Sequence, residues 1–134
     1  MGSSSDLVQA LQALIRSHHI EVARAVDAHR EWTARLDVCV STGHCDADES
    51  YVERDDACAL GRWLHTMPAE ARADGHYLAV VAMHARFHRA AAGVVRLVHA
   101  GRVADARAAM GPEGEYASAS GELVGLLEDW RAAA

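Results

Sequence analysis

The sequence has no lysine and few aromatic residues. All 13 basic residues are arginine, and aromatic side chains make up 5% of the 134 residues, although 51% are hydrophobic. Sheet cores favour β-branched and aromatic residues, whereas alanine has the highest helix propensity. This alanine-rich composition therefore predicts an all-α protein.

Other absences narrow the range of partners and compartments. No run approaches the roughly 20 apolar residues that span a bilayer, and the N-terminus lacks the pattern of a secretion signal, so we expect a cytoplasmic protein. A net charge of −6 gives no general attraction to nucleic acid or to anionic lipid, and we expect neither as a partner. Three cysteines without a secretion signal argue against a disulfide framework and leave metal binding or redox chemistry open.

Apolar residues recur at helical spacing along most of the chain. A first long helix, capped by Ser4, Ser5 or Asp6, is predicted up to Val40, and a solvated acidic connector from His44 to Asp56. A short helix follows at 58–64. Three more helices are predicted at 77–101, 103–110 and 116–130. We therefore expect residues 1–134 to form one domain, a four-helix bundle with an additional short helix, in which residues 1–5 are disordered or foreign to the natural chain.

Three histidines and one cysteine are the candidate metal ligands. His84 and His88 lie four residues apart on the apolar face of one predicted helix, His29 is in phase with the apolar stripe of the first helix, and Cys58 opens the short helix. Each residue taken alone also fits a plain core position. Together they match the four-coordinate nitrogen and sulfur set that zinc prefers.

The same residues resemble the chemoreceptor zinc-binding (CZB) domain family. The motifs are His29-x-x-Trp32, Cys58-x-Leu60-Gly61-x-Trp63 and His84-x-x-Phe87-His88, in the order found in that family. The resemblance implies a helical bundle that binds Zn²⁺ through His29, Cys58, His84 and His88.

The resemblance also implies a regulatory role. Such domains control chemoreceptors or diguanylate cyclases, commonly as homodimers, and the cysteine can act as a redox-responsive ligand. No signalling output domain is evident in these 134 residues, so we expect a signalling partner in trans or a chain that is part of a longer protein.

Four protein ligands would close the metal site, which argues against an enzyme. His84-Ala85-Arg86-Phe87-His88 also lacks the glutamate of a His-Glu-x-x-His metalloprotease. A permanent structural zinc in an interaction module is the main alternative to a regulated site, and a metal-dependent enzyme is a weaker one.

Other residues receive supporting or minor roles. We expect Asp55, Asp56 or Glu31 to accept an imidazole N–H, because zinc with three neutral imidazoles and one thiolate keeps a charge of about +1. We expect Trp32, Leu60, Trp63 and Phe87 to wall the site. Cys39 and Cys45 lie outside the motifs and leave a second metal or redox site as a minor possibility. Five further histidines, His18, His19, His65, His76 and His99, are expected at the surface or at helix edges, with His18 partly buried.

Overall fold

The computed structural model describes residues 3–133, which form seven α-helices and no strand. The helices are α1 (Ser3–Thr42), α2 (Glu49–Glu53), α3 (Ala59–His65), α4 (Ala69–Arg72), α5 (Gly75–His99), α6 (Val103–Met110) and α7 (Glu115–Ala133). The all-α prediction is confirmed. The Cys58-x-Leu60-Gly61-x-Trp63 block lies on the predicted short helix, α3, and the other predicted helices correspond to α1, α5, α6 and α7.

Helix α5 is the centre of the core, because all six of the other described helices contact it. Apart from α1 and α7, these helices are short. Its buried residues recur at helical spacing, so that one broad face is covered by α7 and α1. From α7, Leu123 and Leu127 complete this core at 1% and 0% exposure. The side chains that α5 buries are Tyr77, Val80, His84, Phe87, His88, Ala91, Ala92, Val94, Val95 and Val98.

Both ends of α5 are fixed by local hydrogen bonds. The Asp74 carboxylate accepts from the backbone N–H of His76 and Tyr77, at 3.1 and 3.3 Å, and so satisfies two free donors of the first turn. At the other end Gly101, with φ of 76°, reverses the chain, and the Arg102 N–H donates to Leu97 O at 2.8 Å. These caps fix the register of α5, and with it the positions of His84 and His88.

Helix α1 is much longer than the bundle that it joins. Its 40 residues extend about 60 Å at 1.5 Å per residue. Val22, Val26, Leu36 and Val40 of its later part are 0–5% exposed. The apolar residues of the earlier part are uncovered, and we call Leu7, Leu11, Leu14 and Ile15, which are 42–67% exposed, the N-terminal stripe. Residues 3–5, where disorder or foreign sequence was expected, lie in the first turn of α1, and residues 1 and 2 lie outside the described residues.

The acidic connector is more ordered than predicted. It contains α2, and Val52 and Cys45 are only 2% and 8% exposed. Two interactions that sequence patterning did not reveal explain this. The Asp48 carboxylate caps α2 by accepting from Ser50 N at 2.9 Å, and Arg96 of α5 forms ion pairs with Glu49 and Glu53. Helix α4 was likewise not predicted.

The expectation that the cysteines form no disulfide is also corrected. Cys39, in the last turn of α1, is disulfide-bonded to Cys45 in the connector, with 4.8 Å between their Cα atoms. Cys58 is the free cysteine.

Among residues 3–133, no helix combines the length and apolarity needed to cross a bilayer.

Candidate metal centre

Two imidazoles from α5 meet inside the core. His84 and His88 lie one helical turn apart and are 3% and 4% exposed, and their Nε2 atoms are 2.9 Å from each other. Residues i and i+4 of a helix share one face, so the backbone of α5 alone sets this pairing. The helix therefore presents two metal-binding nitrogens at one point.

Cys58 brings a sulfur to the same point from the start of α3. Its Sγ lies 3.2 Å from His84 Nε2 and 3.5 Å from His88 Nε2. As the N-cap residue of α3, Cys58 also accepts through Sγ from the backbone N–H of Gly61 at 3.3 Å. A free N–H at a helix start favours the thiolate, which is the form that binds metals.

A close backbone approach holds Cys58 in place. A Cβ atom at Gly61 would lie 1.8 Å from the carbonyl oxygen of Asp55, so only glycine lets the preceding loop fold back over α3 at this distance. The packing role expected for Gly61 is consistent with this contact.

A backbone carbonyl orients His88. Its Nδ1 donates to Val52 O of α2 at 2.8 Å, which leaves Nε2 unprotonated and directed at the cluster. The predicted acceptors, Asp55, Asp56 and Glu31, do not fill this role. The Asp56 carboxylate accepts from Arg54 Nε at 3.1 Å, and Glu31 is exposed. Asp55 affects His88 only through its charge, which raises the pKa of that imidazole against the larger effect of burial.

His29 lies beside the cluster but outside its closest group. It is 6% exposed and lines the same cavity as Cys58, His84 and His88. Its Nε2 makes a hydrogen bond of 2.6 Å with Ser120 Oγ of α7, and its ring is 4.1 Å from that of Phe87. The three residues whose ligand atoms all lie within 4.8 Å of one another are Cys58, His84 and His88.

Burial keeps these imidazoles neutral. Desolvation, reinforced by neighbouring histidines, lowers the pKa of His84 to about 3, and desolvation with His88 nearby lowers that of His29 to about 4. Desolvation also lowers the pKa of His88. Burial raises the pKa of the Cys58 thiol, partly offset by the Gly61 N–H. The histidines thus have free lone pairs at neutral pH, and Cys58 would lose a proton on binding a cation.

The cavity that Cys58, His84 and His88 share with His29 has the size of an ion site. It measures about 50 Å³, whereas small-molecule sites usually occupy about 300 Å³ or more. Trp32, Leu60 and Phe87 line it, as predicted. Trp63 does not, because its ring packs 5.4 Å from Trp130 and 5.3 Å from His18 at another part of the core.

The spacing of the donor atoms fits zinc. Zinc–nitrogen bonds of about 2.0–2.1 Å and a zinc–sulfur bond of about 2.3 Å place tetrahedral ligands about 3.3–3.6 Å apart. The separations in the cluster, 2.9, 3.2 and 3.5 Å, lie close to that range. Two buried, neutral imidazoles and one thiol form a donor set typical of a zinc site.

Two contributors to the site were missed from the sequence. Val52 acts through its backbone carbonyl, which leaves no signature in residue type, and its segment seemed to be solvated. Ser120 bonds His29 across 91 residues of chain, and a single serine on a small-residue helix gives no signal. Only the apolar character of Val52 within an acidic segment could have suggested burial.

Comparison with known proteins supports the resemblance stated from the motifs. The family model described as the chemoreceptor zinc-binding domain matches residues 29–95, a span that begins at His29 and includes Cys58, His84 and His88. Searches of curated proteins and of solved structures found no match.

The lowered pKa values predict that the metal-free protein loses stability in mild acid. Below the ordinary histidine pKa of 6.5 the unfolded chain takes up protons that the buried His29 and His84 do not accept until about pH 4 and 3. The free energy of unfolding should therefore fall by about 1 kcal/mol per pH unit for each buried histidine as the pH drops from 6.5 to 4.5.

Urea unfolding of the chelator-treated protein at several pH values measures this slope. A His84→Gln variant should show a shallower slope than the parent, and His76→Gln, which removes an exposed imidazole, controls for the loss of a histidine. Equal slopes in the parent and His84→Gln would contradict the proposed cause.

Proposed function

Because the chain belongs to the chemoreceptor zinc-binding domain family, we propose that it is a regulatory domain that relays zinc or thiol-redox state to a signalling partner. The family binds zinc and is regulatory rather than catalytic. The observation that carries the proposal is the group formed by Cys58, His84 and His88 in a small cavity of the core.

We propose that His29 is the fourth ligand. It lines the cavity, burial keeps its imidazole neutral, and the matched family region begins at this residue. To bind through Nε2 it must release the Ser120 hydroxyl, which is its present partner. If His29 binds through Nδ1 instead, Ser120 can keep accepting from Nε2 and so orient the ring.

The four residues would connect three separate elements. His29 belongs to α1, Cys58 opens α3, and His84 and His88 belong to α5. Zinc supplies a divalent charge that fixes these ligands to one another. When the zinc is removed, or when the Cys58 sulfur is oxidised, α3 loses its tie to α5, and the surface that these helices offer to a partner changes.

The competing functions differ in what they require of the site. An enzyme needs an open coordination position and room for a substrate, and the cavity of about 50 Å³ offers little room. A permanent structural zinc would use the same ligands, but binding and removal of the metal would not change the shape of the protein. We propose the regulated site because Cys58 is the N-cap of the seven-residue helix α3, so that metal binding at its sulfur would tie this short helix directly to α5.

We further propose a cytoplasmic homodimer built on α1. The N-terminal stripe presents Leu7, Leu11, Leu14 and Ile15 at the spacing of one helix face, and nothing in the described chain covers it. The described residues share one core, which supports a single domain over residues 1–134. Its output would lie on a chemoreceptor or diguanylate cyclase, in trans or elsewhere in a longer chain.

The ligand assignment predicts how much zinc is retained after purification. The parent should carry one zinc per chain, Cys58→Ala and His84→Ala should lose stoichiometric zinc, and His29→Ala should bind it about tenfold or more weakly. Metal analysis by mass spectrometry and competition with a chelator measure both quantities. His76→Ala is the control, since its exposed imidazole lies outside the cavity. Stoichiometric zinc that survives both Cys58→Ala and His84→Ala would defeat the assignment.

The dimer surface predicts the effect of one charge on the N-terminal stripe. The parent should sediment at twice the chain mass of 14.4 kDa, whereas Leu11→Glu should shift it toward the monomer, because a carboxylate would be buried against an apolar partner. Leu78→Glu, at an exposed leucine of α5, should remain dimeric. A Leu11→Glu protein that sediments like the parent would place the interface elsewhere.

A further inference from the structure

Cys39 and Cys45 are brought together by the way α1 ends. Gly43 follows the helix with φ of 71°, a left-handed conformation that suits glycine, and its N–H donates to Cys39 O at 2.9 Å. Thr42 Oγ1 also donates to Val38 O at 2.8 Å. This reversal returns the chain so that the Cα atoms of the two cysteines are 4.8 Å apart, which is within disulfide range.

The pair is accessible from one side. Cys45 is 8% exposed and Cys39 is half-buried, and both line a groove of about 440 Å³ with Trp32, Arg35 and His44. A small oxidant or reductant can therefore reach the Cys39 sulfur.

The pair is also tied to the support of the metal centre. The Cys45 carbonyl accepts from His99 Nε2 of α5 at 2.8 Å, and the connector continues from Cys45 into α2. There, the Val52 carbonyl accepts from His88 Nδ1 at 2.8 Å. The disulfide to Cys39 of α1 therefore anchors the connector at Cys45, seven residues before Val52, whose carbonyl accepts from His88.

We propose that Cys39 and Cys45 form a second thiol redox site, separate from Cys58, whose disulfide ties the connector that carries α2 to the end of α1. The Cys39 thiolate attacks a hydroperoxide at its outer oxygen and becomes a sulfenic acid, with release of an alcohol or, from hydrogen peroxide, water. The Cys45 thiol then attacks the sulfenic sulfur, and a second water leaves as the disulfide forms. Two electrons pass from the thiols to the peroxide, and a dithiol reductant reverses the change by exchange.

A tryptic digest measures the oxidation state of Cys39 and Cys45 separately from that of Cys58. Cleavage after Arg35, Arg54 and Arg62 places Cys39 and Cys45 together in the peptide 36–54 and Cys58 in the peptide 55–62. The zinc-loaded protein is treated with hydrogen peroxide, alkylated and digested. The peptide 36–54 should escape alkylation and be about 2 Da lighter than the dithiol form, and reduction before alkylation should restore both reactive thiols.

Hydrogen exchange tests the link to α2. Amides of residues 49–53 should exchange about fivefold faster in the reduced zinc-loaded protein than in the oxidised one, because the connector is then free of α1. In a Cys39→Ser/Cys45→Ser variant they should exchange at the faster rate under both conditions. Cys58 is retained in that variant, so an effect of Cys58 oxidation would still be seen.

Two results would each overturn the proposal. The first concerns the peptide 36–54 at peroxide doses that modify Cys58. The proposal fails if this peptide stays in the dithiol form, or if it is oxidised and reduction does not restore its thiols. The other is an exchange rate at residues 49–53 that is the same in the oxidised and reduced states of the pair, at peroxide doses that leave Cys58 unmodified.

Discussion

The structure depends on placing two imidazoles and a thiol together inside the core. His84, His88 and Cys58 are held there by α5, by the cap of α3 and by the carbonyl of Val52, and burial disfavours the protonated imidazoles and the free thiolate. Without a cation, burying these polar groups costs free energy. A cation that neutralises the thiolate makes the same arrangement favourable. Zinc binding and folding of this region are therefore linked.

Because the site lies inside the core, a change in zinc occupancy acts on the helices around it and so on the surface that they offer to a partner. The ligands proposed for zinc come from α1, α3 and α5, and Ser120 connects His29 to α7. A change in occupancy acts on several elements at once, while the caps at Asp74 and Gly101 keep α5 itself fixed. The elements whose attachment depends directly on the site are then α3, which Cys58 caps, and the connector, whose Val52 carbonyl accepts from His88.

Sequence reasoning reached the parts of the site that follow from helical periodicity. The pairing of His84 with His88 needs only a helix, and the inward phase of His29 needs only the stripe of α1. Cys58 was predicted only in combination with the three histidines and through the family motif, because nothing local distinguishes a ligand cysteine from a small core residue.

The parts that were missed depend on contacts between segments far apart in the chain. The burial of Val52 and Cys45 depends on Arg96 of α5 pairing with the glutamates of α2, and the pairing of Cys39 with Cys45 depends on the chain reversal at Gly43. A carbonyl supports His88 where carboxylates were expected, and backbone acceptors leave no mark in a sequence.

Zinc-edge X-ray absorption on the purified protein tests the central claim most directly. We predict three nitrogen ligands at about 2.0–2.1 Å and one sulfur at about 2.3 Å. A shell without sulfur, or one in which oxygen replaces a histidine nitrogen, would contradict the account.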